Sequence, residues 1–137
     1  MSIWRIVVHR SHILPKEGFT YMRYVLLIYA SEAAYSGMTQ EERIALMQAH
    51  TAFANETQQR GLLTNGEALQ PTSTAATIRV RNGKTLITDG PFAETKEQLA
   101  GFYILNCKDL DEAIEMAARI PDALSGSVEI RPVLEIM

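Results

Sequence analysis

Apolar positions along this chain fall into strand-like runs separated by two stretches of helical period. "MRYVLLIYA", from Met22, is β-branched and aromatic almost throughout and reads as a buried strand. "SEAAYSGM" reads as a loop. Thr39 followed by Glu42 forms a capping-box signature, which opens a helix that runs to about Arg60 and stops at Gly61. On that helix Leu46, Met47, His50, Phe53 and Ala54 share one face, while Gln48, Asn55 and Gln59 lie opposite. "LLTNGEAL" is a short strand and "QPTSTA" a loop. "ATIRVRNGKTLIT" then alternates around Asn82-Gly83, the strongest hairpin signal in the chain. "LAGFYILNC" is a further buried strand. Asp109 and Glu112 repeat the capping logic for a second helix, with Leu110, Ala113, Ile114 and Ala117 inward and Pro121 ending it. "GSVEIRPVLEI" closes the chain as a strand.

The order is strand, helix, strand, inserted hairpin, strand, helix, strand. Without the hairpin this is βαββαβ, so the expected class is α+β, the ferredoxin-like split βαβ arrangement. Two helices cover one face of such a sheet and leave the other bare. Yet "YVLLIYA" and "LAGFYIL" are apolar on nearly every residue, which calls for cover on both faces. A second subunit is the economical cover, and a homodimer is expected. Residues 1–21 read as an extension, with an added strand over Ile3–Val8 and a start assigned too far upstream as equal alternatives.

Length and composition narrow the class without naming a function. The 137 residues, 47% hydrophobic and 21% charged, suit one ordinary globular domain over 22–137 behind the extension. Arg5, Arg10 and Lys16 against Glu17 give residues 1–21 a charge of +2 within a net charge of −3, leaving an acidic body. Such a body does not attract phosphate backbones, so nucleic-acid binding is disfavoured. A basic extension that recruits DNA would show salt-sensitive binding lost with residues 1–21. No secretory signal or membrane-length apolar run is visible, and a cytoplasmic location is expected. Cys107, the single cysteine, sits in an apolar run and reads as a small hydrophobe.

The candidate chemistry centres on "TDGPFAETKEQLAGFYI". Gly90 permits a positive φ, Pro91 fixes the next turn, and Phe92 is expected to plug the core. Glu94 and Lys96 sit in a polar run that either lines a cleft or faces water. Glu67, in "NGEAL", is an acid at the end of an apolar strand, costly unless paired. Tyr29 offers a phenolic donor. His9 and His12 lie close together without Cys or carboxylate neighbours, so no metal site is expected. With no phosphate-binding glycine loop, dinucleotide fingerprint or serine elbow, an enzyme here would need no organic cofactor.

These segments carry a resemblance. "DGPFAETKEQLAGFY" resembles the signature of the DGPF group of YCII-related proteins. "YVLLIYA", "GEALQP", "DLDEAIEMAARIP" and "GSVEIRPV" are similar to that group's other segments in the same order, over about Met22 to Val133. The resemblance implies the dimeric α/β-barrel version of the ferredoxin-like fold. It implies less about activity, since most of the family is uncharacterised. Shorter relatives are thought to use a His–acid pair, one member dehalogenates a chlorinated hydroquinone, and DGPF proteins are often encoded beside extracytoplasmic-function sigma factors.

By that resemblance His50, in "MQAHTAF", matches a histidine on the first helix, the side chain most easily poised for proton transfer near neutral pH. Two acids are candidates to orient it. Glu32 stands where shorter relatives carry Asp, one methylene longer here, and Asp89 stands on the signature's turn. Two readings follow. In one, His50 with Glu32 or Asp89 forms an enzyme's proton-transfer pair for isomerisation or elimination, with Glu67, Glu94, Lys96 and Tyr29 binding an unknown small-molecule substrate. In the other, the protein is a non-catalytic regulator or ligand sensor acting with a sigma factor. The second predicts a fully buried His50 and an exposed or dimer-facing signature loop.

Overall fold

Side chains alternate across the first strand, β1 (Met22–Ala30), where Tyr24, Leu26 and Ile28 are buried and Val25, Leu27 and Tyr29 only half-buried. That alternation sets up one helix-covered face and one outer face. The computed structural model describes residues 21–135. The expected N-terminal extension, with its strand over Ile3–Val8 and its histidines, lies outside the described residues.

After β1 come α1 (Glu32–Ser36), α2 (Gln40–Gln59), β2 (Leu63–Ala68), β3 (Ala76–Arg81), β4 (Lys84–Asp89), β5 (Gln98–Cys107), α3 (Leu110–Ala117) and β6 (Ser127–Pro132). Short 3₁₀ turns occupy Thr72–Thr74 and Pro121–Leu124. The main sheet has the order β2-β5-β1-β6 with every neighbouring pair antiparallel. With β3 and β4 set aside as a separate two-stranded ribbon, this mixed α/β arrangement is compatible with a ferredoxin-like fold.

α2 and α3 start where the capping signals lie. The Thr39 hydroxyl accepts from the Glu42 N–H at 3.1 Å, and the Asp109 carboxylate accepts from the Glu112 N–H at 2.9 Å. Asn82 and Gly83 both take positive φ, the backbone a tight hairpin turn requires.

Several local expectations fail, among them Met47 of the expected inward face of α2, which is exposed. The segment after β1 is partly helical, because the Ser31 hydroxyl caps the Ala34 N–H at 3.1 Å ahead of the helix-forming Glu-Ala-Ala. On α3 the buried stripe is Ala113, Met116 and Ala117, while Leu110 and Ile114 are about half exposed. Phe92 does not plug the core and is 79% exposed. Its segment is held by polar contacts instead: Gly90 N–H to the Ala75 carbonyl at 2.7 Å, the Thr77 hydroxyl to the Gly90 carbonyl at 2.9 Å, and Gln98 Nε2 to the Thr95 carbonyl at 2.5 Å.

The core lies between the sheet and α2 with α3. Leu26, Ile28, Tyr103, Leu105, Met116 and Ile120 fill it, with Phe53 closing over the Tyr103 ring at 4.8 Å between centroids.

Candidate functional site

One polar cluster sits inside this core. α2 presents His50 among its apolar neighbours, β5 supplies Tyr103 from the helix-covered face, and the turn after α3 supplies Asp122. His50 Nε2 lies 2.5 Å from Asp122 Oδ1, and Nδ1 lies 2.9 Å from the Tyr103 hydroxyl. His50 is 3% exposed, Asp122 7% and Tyr103 fully buried. Burial first, and then the charge of Asp122, push the Tyr103 phenol above its ordinary range, so it keeps its proton. The Asp122 carboxylate accepts, so Nε2 carries the N–H directed at it, and Nδ1 and the Tyr103 hydroxyl share the second hydrogen bond. The cluster is thereby closed, with both ring nitrogens engaged by the protein. The pair His50–Asp122 has the contact a proton-transfer dyad needs, but both ring nitrogens face protein groups and His50 does not line the cleft described next.

The raised phenol pKa carries a pH dependence. Below the ordinary phenol value of 10.0 Tyr103 is neutral folded and unfolded, and its contribution is complete. Above it the unfolded chain releases the proton and the folded chain retains it, so stability falls as pH rises. Chemical denaturation between pH 9 and 11.5 should lose about 1.4 kcal/mol per pH unit above pH ~10 from this group. Tyr103→Phe removes that component of the slope. Cys107, fully buried and pushed up to about 12 chiefly by burial and by the nearby Glu112, adds a decline of the same sign in both proteins.

A separate open cleft of about 350 Å³ lies where β1 ends and β5 begins. Glu32, Thr72, Gly90, Glu94, Thr95 and Gln98 are among the residues lining it. The Glu32 carboxylate accepts from the Thr72 N–H at 2.7 Å and the Thr72 hydroxyl at 2.9 Å, and the Glu32 N–H donates to Gln98 Oε1 at 2.9 Å. Gln98 in turn donates to the Thr95 carbonyl. Three walls of the cleft are therefore tied to one another without any contribution from His50.

The residues singled out by sequence divide between these places. His50 lies in the buried cluster, and the acid against it is Asp122. Glu32 and Glu94 line the cleft. Asp89 ends β4 and is exposed, as is Lys96 beyond it. Glu67 is exposed on β2 opposite Phe102, on the outer face of the sheet. Tyr29 is half-buried opposite Ser127. Asp122, Tyr103, Thr72 and Gln98 were not singled out. The one available signal for Asp122 was an acid following Pro121 at the end of an amphipathic helix, which reads equally as a helix stop.

Among the described residues no group of three or more His, Cys, Asp or Glu is placed to hold a metal ion, and no helix is long and apolar enough to cross a membrane.

Comparison with known proteins adds two findings. The YCII-related domain matches residues 22–137. An uncharacterised protein of Rhizobium meliloti (strain 1021) is 42% identical over 113 residues, spanning 81% of this chain and 91% of the relative.

Proposed function

This chain belongs to the YCII-related family, and from that premise we propose that it binds a small polar molecule in the cleft at the signature loop, as a non-catalytic sensor or regulator. The observation that carries this reading is the closure of the His50 cluster. A general base must reach the proton it takes, and here both ring nitrogens are held by Asp122 and Tyr103 at 3% exposure. The exposed chemistry lies elsewhere, around Glu32, Glu94, Thr72 and Gln98. That lining carries carboxylates, hydroxyls and an amide, so it suits a ligand rich in hydrogen-bond donors. The Glu32–Thr72 and Glu32–Gln98 contacts hold the walls in place before any ligand arrives.

The resemblance to DGPF proteins extends this reading to a regulatory association with an extracytoplasmic-function sigma factor. In the same reading a second copy of the chain covers the outer sheet face, where Val25, Leu27, Phe102 and Ile104 are half-buried, as in the dimeric α/β-barrel variant of the ferredoxin-like fold.

A library of donor-rich small molecules, followed by amide chemical shifts, tests the cleft. Hits should move the resonances of Thr72, Glu94 and Gln98, and Glu32→Gln should weaken them by about tenfold, the loss of one charge-assisted contact. Hits that bind elsewhere, or a Glu32→Gln variant that binds as well as the wild type, would falsify this assignment. A second reading, proton transfer by His50, is favoured by the 2.5 Å contact to Asp122 alone. It requires turnover of a small molecule that His50→Gln abolishes in a folded protein.

A further inference from the structure

We propose that the cleft at the signature loop takes a small organic cation with ammonium N–H donors, of the alkylamine class, which rests on the reading of that cleft as a binding site and adds the charge of its ligand. Glu32 and Glu94 both line the space of about 350 Å³, and no Lys, Arg or His lines it with them. Lys96, two residues beyond Glu94, is not part of the wall. Glu32 is half-buried, and the groups that donate to its carboxylate, the Thr72 N–H and hydroxyl, are neutral. Among the described residues neither Glu32 nor Glu94 belongs to an ion pair. A carboxylate held in a partly desolvated wall without a counter-charge is stabilised by a cation that enters beside it.

The hydrogen-bonding groups of the wall point the same way. Its donors are largely spent inside the protein: Thr72 gives both of its own to Glu32, and the Gly90 N–H goes to the Ala75 carbonyl. The Thr95 hydroxyl goes to the Glu97 carbonyl, and Gln98 Nε2 to the Thr95 carbonyl. Acceptors are left over. A carboxylate can take about four hydrogen bonds. Glu32 takes one on each oxygen, both from Thr72, and the Glu94 side chain takes none from the described residues. A ligand must therefore bring donors, and an anion would meet two carboxylates with few donors to hold it. Two acids in one cleft also favour a dication over a monocation. A metal ion suits the wall less well. No three His, Cys, Asp or Glu are grouped to hold one among the described residues, and hard divalent cations prefer a fuller oxygen cage.

Amide chemical shifts of the full chain test this with one carbon skeleton in four charge states: 1,4-diaminobutane, 4-amino-1-butanol, 1,4-butanediol and succinate, each taken to tens of millimolar at neutral pH. The Thr72, Glu94 and Gln98 amides should report an affinity that falls about tenfold with each ammonium group removed, and succinate should leave them unmoved. Glu94→Gln breaks no side-chain contact among the described residues, so it should fold as the wild type does, weaken the diamine about tenfold and leave the response to the diol unchanged. Added NaCl should weaken the diamine and not the diol. A diol or succinate that binds in the cleft as tightly as the diamine overturns the cationic ligand and leaves the cleft standing as a site. Calcium or magnesium chloride that moves the same amides at lower concentration than the diamine overturns it in favour of a metal ion. Silence from all four compounds also overturns it, and the wider library then decides the cleft on its own.

Discussion

Asp122→Ala should lose about 3–5 kcal/mol of folding stability, the usual cost of removing one partner from a buried charge-assisted pair. The loss is large because the carboxylate is the acceptor facing a buried N–H. His50 Nε2–H would lose its acceptor at a position only 3% exposed. Tyr103 suffers next, because its hydroxyl is hydrogen-bonded to Nδ1 and its ring packs against Phe53. For a chain of this size the shift in Tm is about 10–20 °C. Asp122→Asn keeps an oxygen acceptor for Nε2–H and should cost clearly less. Replacing the whole cluster with Leu at 50 and 122 and Phe at 103 should recover most of the loss, since no polar atom is then left unpaired. Thermal unfolding and urea titration of these variants decide the matter. A single Asp122→Ala variant within about 1 kcal/mol of wild type would mean that the cluster opens to solvent, and the proton-transfer reading would then gain the accessible histidine it lacks.

That cluster also marks where sequence reasoning stopped. The elements were legible because each rests on neighbours in sequence: Thr39 with Glu42, Asp109 with Glu112, and Asn82 with Gly83 define their own backbone within a few residues. Their order points to a mixed α/β arrangement, and the four-stranded sheet is compatible with the ferredoxin-like class expected from it. His50 was legible as a polar residue on an apolar arc, but its partners were not. Asp122 lies 72 residues further on, and Tyr103 is hidden in a strand whose every second side chain is buried. No local pattern encodes a contact made by packing a turn against a helix. The same limit explains Phe92 and the Leu110–Ile114 pair. Hydrophobicity says that such side chains tend to be buried, and only the assembled surfaces say whether this chain buries them. Glu32 shows the converse case. Its place in the sequence offers it as a partner for His50, whereas it joins Thr72 and Gln98 across the cleft.

Gly126→Ala should be the second most damaging change, costing about 3 kcal/mol although it adds a single methyl group. Gly126 links the Pro121–Leu124 turn to β6, where Ser127 pairs with Tyr29 of β1. A Cβ there would overlap the Tyr29 carbonyl oxygen and lie 3.2 Å from the Asp122 carbonyl oxygen. Both obstacles are backbone, so no rotamer change relieves them. One of two things must give: the start of β6 leaves β1, or the turn swings away and carries Asp122 off His50. The Gly126 N–H to Asp122 carbonyl bond, 2.7 Å, ties those two movements together. The damage should therefore run through the cluster. Gly126→Ala combined with Asp122→Ala should cost less than the two separate losses added, by about 1 kcal/mol or more, as neighbouring sites sharing a contact do. The His50 Nε2–H proton resonance, expected downfield because of its short bond to the carboxylate, should move or vanish in Gly126→Ala while the signals of the β3–β4 ribbon stay in place. Additive losses with an unchanged His50 resonance would show that β6 alone yields, and that the turn holds Asp122 without help from Gly126.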